Sequence, residues 1–473
     1  MTLQGRRPGD KRVRIERVQP QAFHVTPPKR IRRAPSPWIV LIATFAVLTV
    51  FGTALLTLPF ATEAGVETSL VDALFMASSA VSTTGLALFD TAEHWSPFGE
   101  VVLLLLVQLG GFAFMTGSTL FLLLIVGGRT SLSDRLRVQA AGGLADLGSV
   151  TTVVRRVLVF TVVCEIVGAA VLTVAFATRG TDVLTSLWWG FFHSIMAFNN
   201  GGLDLFGGSQ SLTGLADVPA VIVPIGILIL LGGTGFAIVG DVIAKRRWVR
   251  LALETKMVLA LSAVLLVAGA VSTGVLEWSH PATLGRLEPA DRIVNAAFHS
   301  VTLRSGGMDS VGVGGMVDES LVLGLAFMFI GGASGSTAGG IKITTFAVLL
   351  VATISAMRGD PSATAFGRRI SHQVVYRSVA VTLIALIGAF ALALTIQFTG
   401  SHEFLATTFE AVSALGTTGL STGLTPELND PARVLMSAAM FVGRLGPLTL
   451  VLALAAQSRR VPHRPAVENV RIG

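Results

Sequence analysis

Charge is what this sequence has least of. Asp, Glu, Lys and Arg make up 13% of its 473 residues, about half the share of a soluble globular chain. That deficit excludes a surface turned to water on all sides. Against it stand 52% hydrophobic residues and a mean hydropathy of +0.72, the composition of an integral membrane protein. Cysteine is nearly missing. The one residue, Cys164, excludes an intramolecular disulfide, and its place in an apolar run predicts a buried structural thiol. There is no phosphate-cradling glycine loop and no Cys/His metal-ligand spacing. Residues 1–37 lack the apolar stretch that a cleavable signal peptide needs. A net charge of +7 ordinarily raises nucleic acid as a partner. Here the placement of the charges explains the excess instead, and no nucleic-acid partner is expected.

What is present is a set of long apolar spans that come in pairs. They lie near 38–60 and 98–127, 156–178 and 218–243, 257–276 and 319–357, and 374–399 and 431–456. Each can cross a hydrocarbon core of ~30 Å, which takes ~20 residues of helix. Between the members of each pair is a shorter apolar run of 12–15 residues. Such a run cannot cross, so it is expected to enter and return, with irregular backbone that protein must bury or water must line. Basic residues gather between the pairs: Arg129, Arg135, Arg137, Arg155 and Arg156, then Lys245, Arg246, Arg247, Arg250 and Lys256, then Arg358, Arg368, Arg369 and Arg377. Arg459, Arg460 and Arg464 follow the last span, and residues 60–100 contain no Lys or Arg. The positive-inside rule then places both termini and the loops between pairs in the cytoplasm. The expected plan is a basic N-terminal tail (1–37), repeats at 38–127, 156–243, 257–357 and 374–456, and a C-terminal tail (457–473). The N-terminal tail either meets anionic lipid or only fixes orientation.

The short runs carry a repeat. Phe75–Leu86, Phe192–Leu203, Phe298–Met308 and Phe409–Leu420 each start with Phe, have Ala or Ser two residues on, and end in Gly followed by Leu or Met. Phe and Gly are ten residues apart in three copies and nine in the third, and the glycines Gly85, Gly202, Gly307 and Gly419 follow one another at 117, 105 and 112 residues. Four copies of a domain-sized unit are implied, not a solenoid. The fold class is therefore all-α membrane protein: four tandem helix–pore-loop–helix repeats, with eight transmembrane helices and four re-entrant pore helices around one pore. A half-helix that enters from outside ends at mid-membrane with partial negative charge, which favours a dehydrated cation. Ser69 with Asp72, Asp182, Asp291, and Ser401 with Glu403 suit its outer, N-terminal end. The residues that follow are Ser82-Thr83-Thr84-Gly85, Asn199-Asn200-Gly201-Gly202, Arg304-Ser305-Gly306-Gly307 and Gly416-Thr417-Thr418-Gly419. A lone Thr-Thr-Gly is an ordinary turn. Four at one place in a repeat are expected to form a selectivity filter whose carbonyls replace an ion's hydration shell. His193 and His299, one residue after the Phe in copies two and three, are expected to position their half-helices and not to bind metal. Glu410 takes that place in copy four, either to stabilise the helix or to add negative potential.

Two stretches depart from the repeat. The second span of the third unit holds Gly331-Gly332-Ala333-Ser334-Gly335-Ser336-Thr337-Ala338-Gly339-Gly340, then Ile341-Lys342, and no other unit has so glycine-dense a tract within a crossing. Glycine weakens a helix by about 1 kcal/mol per residue, so this helix is expected to break. The loop would be a gate at 331–340, or else a close-packing tract. In the last span, Arg444 is an intramembrane cation, either a barrier to cations or an anchor for the loop.

These motifs resemble the membrane subunit of a Ktr-type potassium transporter, in the Trk/Ktr/HKT superfamily. The resemblance rests on FNNGGLD (198–204), FIGGASGSTAGGIK (329–342), MFVGRLGPLT (440–449) and the four glycines, and spans roughly residues 38–458. It implies potassium uptake, with K+ held at filter carbonyls by Gly85, Gly202, Gly307 and Gly419. It further implies a gate at 331–340 with Arg444, and a homodimer in the cell membrane of a bacterium. A cytosolic RCK-type regulatory ring would bind the nucleotide, which this chain itself would not. Sodium-selective relatives have Ser in the first filter, and sodium dependence stays open. Gly201 and Gly306 stand where members often carry Ala. Two other classes compete. Gly332-Ala333-Ser334-Gly335 fits the GxSG pattern of intramembrane serine proteases, but that leaves the fourfold repeat unexplained. A coupled secondary transporter would more often show inverted repeats. No enzyme activity is expected.

Overall fold

The computed structural model describes residues 37–63, 66–127 and 150–456. The two expected tails, and Arg129, Arg135 and Arg137, lie outside the described residues apart from Pro37. The first unit consists of α1 (Pro37–Leu56), α2 (Leu70–Val81), a one-turn α3 (Thr91–His94) and α4 (Pro97–Gly127). The second has α5 (Val150–Ala177), α6 (Val183–Asn199), α7 (Pro219–Thr234) and α8 (Phe236–Lys245). The third has α9 (Leu253–Glu277), α10 (Pro289–Thr302), α11 (Asp318–Phe329) and α12 (Ile343–Met357), and the fourth has α13 (His372–Thr399), α14 (Phe404–Gly416) and α15 (Asp430–Ala456). A two-residue hairpin, β1 (Thr364–Ala365) with β2 (Arg368–Arg369), sits in the loop before α13.

The helix that opens each unit is apolar over most of its circumference, which in a single chain marks a lipid-facing span. Between 22% and 33% of the best apolar window of α1, α5, α9 and α13 is buried, against 56% for α4. Val47, Val50 and Phe51 on α1, or Leu383, Leu386 and Ile387 on α13, point away from protein. The short helices are the reverse. Phe75, Met76 and Ala77 on α2 and Phe192, Met196 and Ala197 on α6 have no exposure. The Ala or Ser two residues after each Phe has a packing cause. In the first three units it meets a glycine of the opening helix: Ala77 faces Gly52, Ser194 faces Gly168 and Ser300 faces Gly269. The glycine lets the short helix approach to backbone distance.

The four units close into a ring. Each short helix packs on the opening helix of its own unit and on a later helix of the unit before it. Thus α2 lies against α15, α6 against α4, α10 against α7 and α14 against α11. Among the described residues, five helices are long and apolar enough to cross a membrane, and α7 with α8 makes a sixth as a bent pair.

Two expectations change. Cys164 is half-buried, not buried, because it packs only at the margin of the core between outward-facing Val163 and inward-facing Glu165. The third unit is also not alone in breaking its second span. At Leu231-Gly232-Gly233-Thr234-Gly235 the second unit turns by 92°, with Gly235 at φ +80°. The break leaves the Gly232 and Gly233 carbonyls without helical donors, and these accept from Thr337 N (3.1 Å) and Ala333 N (3.0 Å) of the glycine tract. Two interrupted spans satisfy one another, which makes irregular backbone tolerable at membrane depth.

Candidate functional site

Each short helix ends in the same backbone turn. Thr83, Asn200, Ser305 and Thr417 are left-handed, with φ of 50°, 59°, 74° and 45°. Two residues later the glycines Gly85, Gly202, Gly307 and Gly419 have φ of 92°, 69°, 75° and 90°. A left-handed residue just past a helix is commonly Gly, so Thr there is strained. Hydrogen bonds hold it. The carbonyl four residues after the Phe accepts from the residue before the glycine in every unit: Ser79 from Thr84 (2.8 Å), Met196 from Gly201 (2.7 Å), Thr302 from Gly306 (2.8 Å) and Ser413 from Thr418 (2.8 Å). The copy that is one residue short keeps this bond, so it differs in length within the turn and not in what the turn does.

The four glycines meet. A Cβ on Gly85 would stand 2.6 Å from the Gly202 Cα, one on Gly202 2.9 Å from the Gly85 Cα and 3.1 Å from the Gly307 Cα, and one on Gly307 2.7 Å from the Gly202 Cα. On Gly419 it would lie 2.9 Å from the Gly307 Cα and overlap the Thr84 carbonyl. Four chain segments, 105 to 117 residues apart in sequence, thus reach one axis with no room for a side chain. Carbonyls and helix C-termini surround that axis, and such groups attract cations.

In three units the residue after the Phe braces the chain beyond the glycine. His193 donates from Nδ1 to the Trp189 carbonyl (2.7 Å) and accepts at Nε2 from Leu205 N (3.2 Å), which occupies both ring nitrogens and leaves neither for a metal. Met76 Sδ accepts from Leu88 N (3.5 Å), the equivalent amide of the first unit. Glu410 accepts from Ser421 Oγ (2.7 Å), Thr422 N (2.9 Å) and Thr425 Oγ1 (2.6 Å). His299 is buried at the same position of the third unit. At the outer helix ends, Ser69 and Asp182 cap as expected, whereas Asp291 lies in the first turn of α10 and Glu403 caps α14 without a side-chain bond. Glu410→Leu is expected to lower stability by about 3 kcal/mol, since several bonds to one buried carboxylate are lost. A thermal melt in detergent measures this. Glu410→Gln separates the two roles: if the charge matters, flux falls while the melt stays close to wild type.

The glycine tract lies directly against these loops. Its neck is closed by Gly331 N to the Ile341 carbonyl (2.9 Å) and Ile343 N to the Gly332 carbonyl (3.0 Å). Thr337 Oγ1 donates to Asn200 Oδ1 (2.9 Å) or the Phe198 carbonyl (3.0 Å). Gly339 N donates to Ser305 Oγ (3.0 Å), which donates to the Thr417 carbonyl (2.5 Å). Two cations hold the far limb. Lys342 Nζ donates to the Ala338 carbonyl (2.6 Å), and Arg444 Nη1 donates to the Thr337 carbonyl. Both stand over the Phe114 ring, at 4.9 Å and 4.4 Å from its centre. Ser334 Oγ pairs with Thr344 Oγ1 (3.3 Å).

A further recurrence went unread in the sequence. Leu109-Gly110-Gly111, Leu231-Gly232-Gly233, Ile330-Gly331-Gly332 and Val442-Gly443-Arg444 occupy matching places in the second spans. In three units the first glycine admits a carbonyl of its own short helix: Gly110 takes Val81, Gly232 takes Phe198 and Gly443 takes Leu415. In the third, Gly331 takes the Gly339 carbonyl of the glycine tract instead. Arg444 therefore stands where the other units have glycine. Aligning the second spans with one another, as the short runs were aligned, would have found it.

Apolar helices that deliver four glycine-ended turns to one axis define a multi-pass helical membrane protein of the transporter class. A family model described as TrkH, cation transport protein, matches residues 18–461. The chain belongs to this TrkH family. It is 36% identical over 431 residues to the Ktr system potassium uptake protein B of Bacillus subtilis (strain 168), covering 90% of this chain and 94% of that one. It is 36% identical over 440 residues to the potassium/sodium uptake protein NtpJ of Enterococcus hirae, covering 91% and 96%. The crystal structure of the potassium transporter TrkH from Vibrio parahaemolyticus shares the fold, with a TM-score of 0.71 at 20% identity over 90% of this chain and 86% of that one.

Proposed function

We propose that the chain is the ion-translocating membrane subunit of a potassium uptake system in a bacterial cell membrane. Eight crossings surround the axis: α1, α4, α5, α7 with α8, α9, α11 with α12, α13 and α15, with α2, α6, α10 and α14 re-entering from outside and both termini cytoplasmic. The convergence of Gly85, Gly202, Gly307 and Gly419 carries this reading, because an axis closed to side chains leaves backbone carbonyls as the ligands. The filter comprises residues 82–85, 199–202, 304–307 and 416–419. Residues 331–340 are the gate, below it. Arg444 acts as an anchor more than as a free barrier, since its Nη1 bonds the Thr337 carbonyl and its guanidinium lies over the Phe114 face. Membrane subunits pair as a homodimer, and a cytosolic nucleotide-binding ring of RCK type governs opening, as relatives named Ktr system proteins suggest. The transported ion is K+. A relative named for potassium and sodium makes sodium dependence worth measuring. The chain is expected to restore growth and K+ uptake at low potassium in a transport-deficient cell, assayed with and without external sodium. Failure of a well-expressed protein to raise uptake in either condition, regulatory partner included, overturns the assignment.

A further inference from the structure

Among the buried ionisable groups, Glu165 has no place in the repeat. It lies in the middle of α5, 7% exposed, three residues before the glycine that receives the short helix. The glycines Gly52 and Gly269 do the same work in the first and third units, and three residues before them stand Thr49 and Leu266. Packing of the opening helix therefore does not call for a carboxylate here. A carboxylate at mid-membrane is costly and faces protein or water for a purpose.

Its partners point to that purpose. Gln108 of α4 donates Nε2 to Glu165 Oε2 (3.0 Å), and Asn199 of α6 donates Nδ2 to Glu165 Oε1 (2.9 Å). Asn199 Nδ2 also reaches Gln108 Oε1 (2.6 Å), which closes a triangle across two units. Asn199 is the last residue of α6, and the next residue, Asn200, is left-handed and takes the bond from Thr337. On the lipid side the triangle is not backed by protein. A cleft of ≈ 450 Å³ opens there between α4, α5 and α6, walled by apolar side chains such as Leu104, Leu105, Val162 and Ile166, with Gln108 and Glu165 among its lining. Gln108 and Glu165 border that void while Asn199 is buried behind them, so hydrogen bonds and not packing alone hold the two side chains against Asn199. On the other side Asn199 Oδ1 abuts the Cα of Gly111, where a Cβ would overlap it.

We infer that Glu165, with Gln108, is a positioning residue for the second filter loop: it braces Asn199, and thereby sets the geometry from which Gly202 reaches the axis. The inference rests on the filter reading above. Its test is the Rb+-to-Na+ uptake ratio of the full chain in proteoliposomes. Glu165→Leu copies the residue of the third unit and fills the site without bonding. It is expected to fold with a lowered melting temperature, since two bonds to a buried carboxylate are lost, and to lose about tenfold in the ratio, equivalent to about 1.4 kcal/mol. Glu165→Ala should lose at least as much, and Glu165→Gln, which can still offer one oxygen to Asn199, should stay within about twofold. A wild-type ratio in Glu165→Leu overturns the inference, as does an equal loss in Glu165→Gln. Gly85→Ser runs alongside. If it lowers the ratio while Glu165→Leu does not, the brace fails and the filter stands; if neither moves it, the filter reading fails too.

Discussion

Gly85→Ser is expected to lower the preference for potassium over sodium by about tenfold or more while leaving uptake measurable. Two costs act at once. Gly85 has φ +92°, a conformation that costs other residues ~1–3 kcal/mol. Its new Cβ would also stand 2.6 Å from the Gly202 Cα and 2.8 Å from the Gly201 carbonyl oxygen. Both neighbours are backbone, so relief has to come from moving one loop relative to another. A site that discriminates by holding carbonyls at the distance of a dehydrated ion loses discrimination when one quarter of it shifts. Each ~1.4 kcal/mol of differential binding is a factor of about ten, which sets the expected size. Gly388→Ser is the control, because a Cβ there meets nothing within 4 Å. An unchanged Rb+-to-Na+ ratio in Gly85→Ser, in protein that folds and transports, would remove Gly85 from the filter.

Much of this could be read in the sequence because a membrane imposes few solutions. Span lengths, the short runs between them and the repeated Phe-to-Gly motif required only hydropathy and counting, and the helices lie close to the expected ranges. The convergence of the glycines was legible for a different reason: four copies at one place in a repeat must share a role. The bend at Gly235 was missed because Gly232, Gly233 and Gly235 are too few to forbid a helix on propensity alone. The Gly232 and Gly233 carbonyls break away because Thr337 and Ala333 of another unit take them, a tertiary cause that no local pattern carries. Arg444 read equally as barrier or anchor because the groups it meets, the Thr337 carbonyl and the Phe114 ring, lie 107 and 330 residues away in sequence. Glu165 was passed over as one charge inside an apolar span; its partners are 57 and 34 residues distant.

Removing residues 332–339 is expected to raise flux by about tenfold or more, the largest gain any change in this chain should produce. The deletion is geometrically mild. Gly331 and Gly340 flank a neck in which Gly331 N already bonds the Ile341 carbonyl at 2.9 Å, and a Cβ on Gly331 would come within 3.2 Å of the Gly340 Cα. The shortened chain can therefore close without displacing α11 or α12. What it removes is the segment that lies against Asn200, Ser305 and Thr417 and on which Lys342 and Arg444 are spent. Because Thr337 and Gly339 also brace the loops above them, the gain should come with a fall in the Rb+-to-Na+ ratio. A loop that only obstructed would raise flux and leave the ratio alone. Thr337→Val isolates the contact. It keeps the shape, loses the hydroxyl bond shared between Asn200 and the Phe198 carbonyl, and at ~1–2 kcal/mol should shift the closed population by about five- to thirtyfold. Unaltered or abolished flux in a folded deletion variant would instead make 331–340 a packing tract, and the two cations beside it structural ties and not parts of a gate.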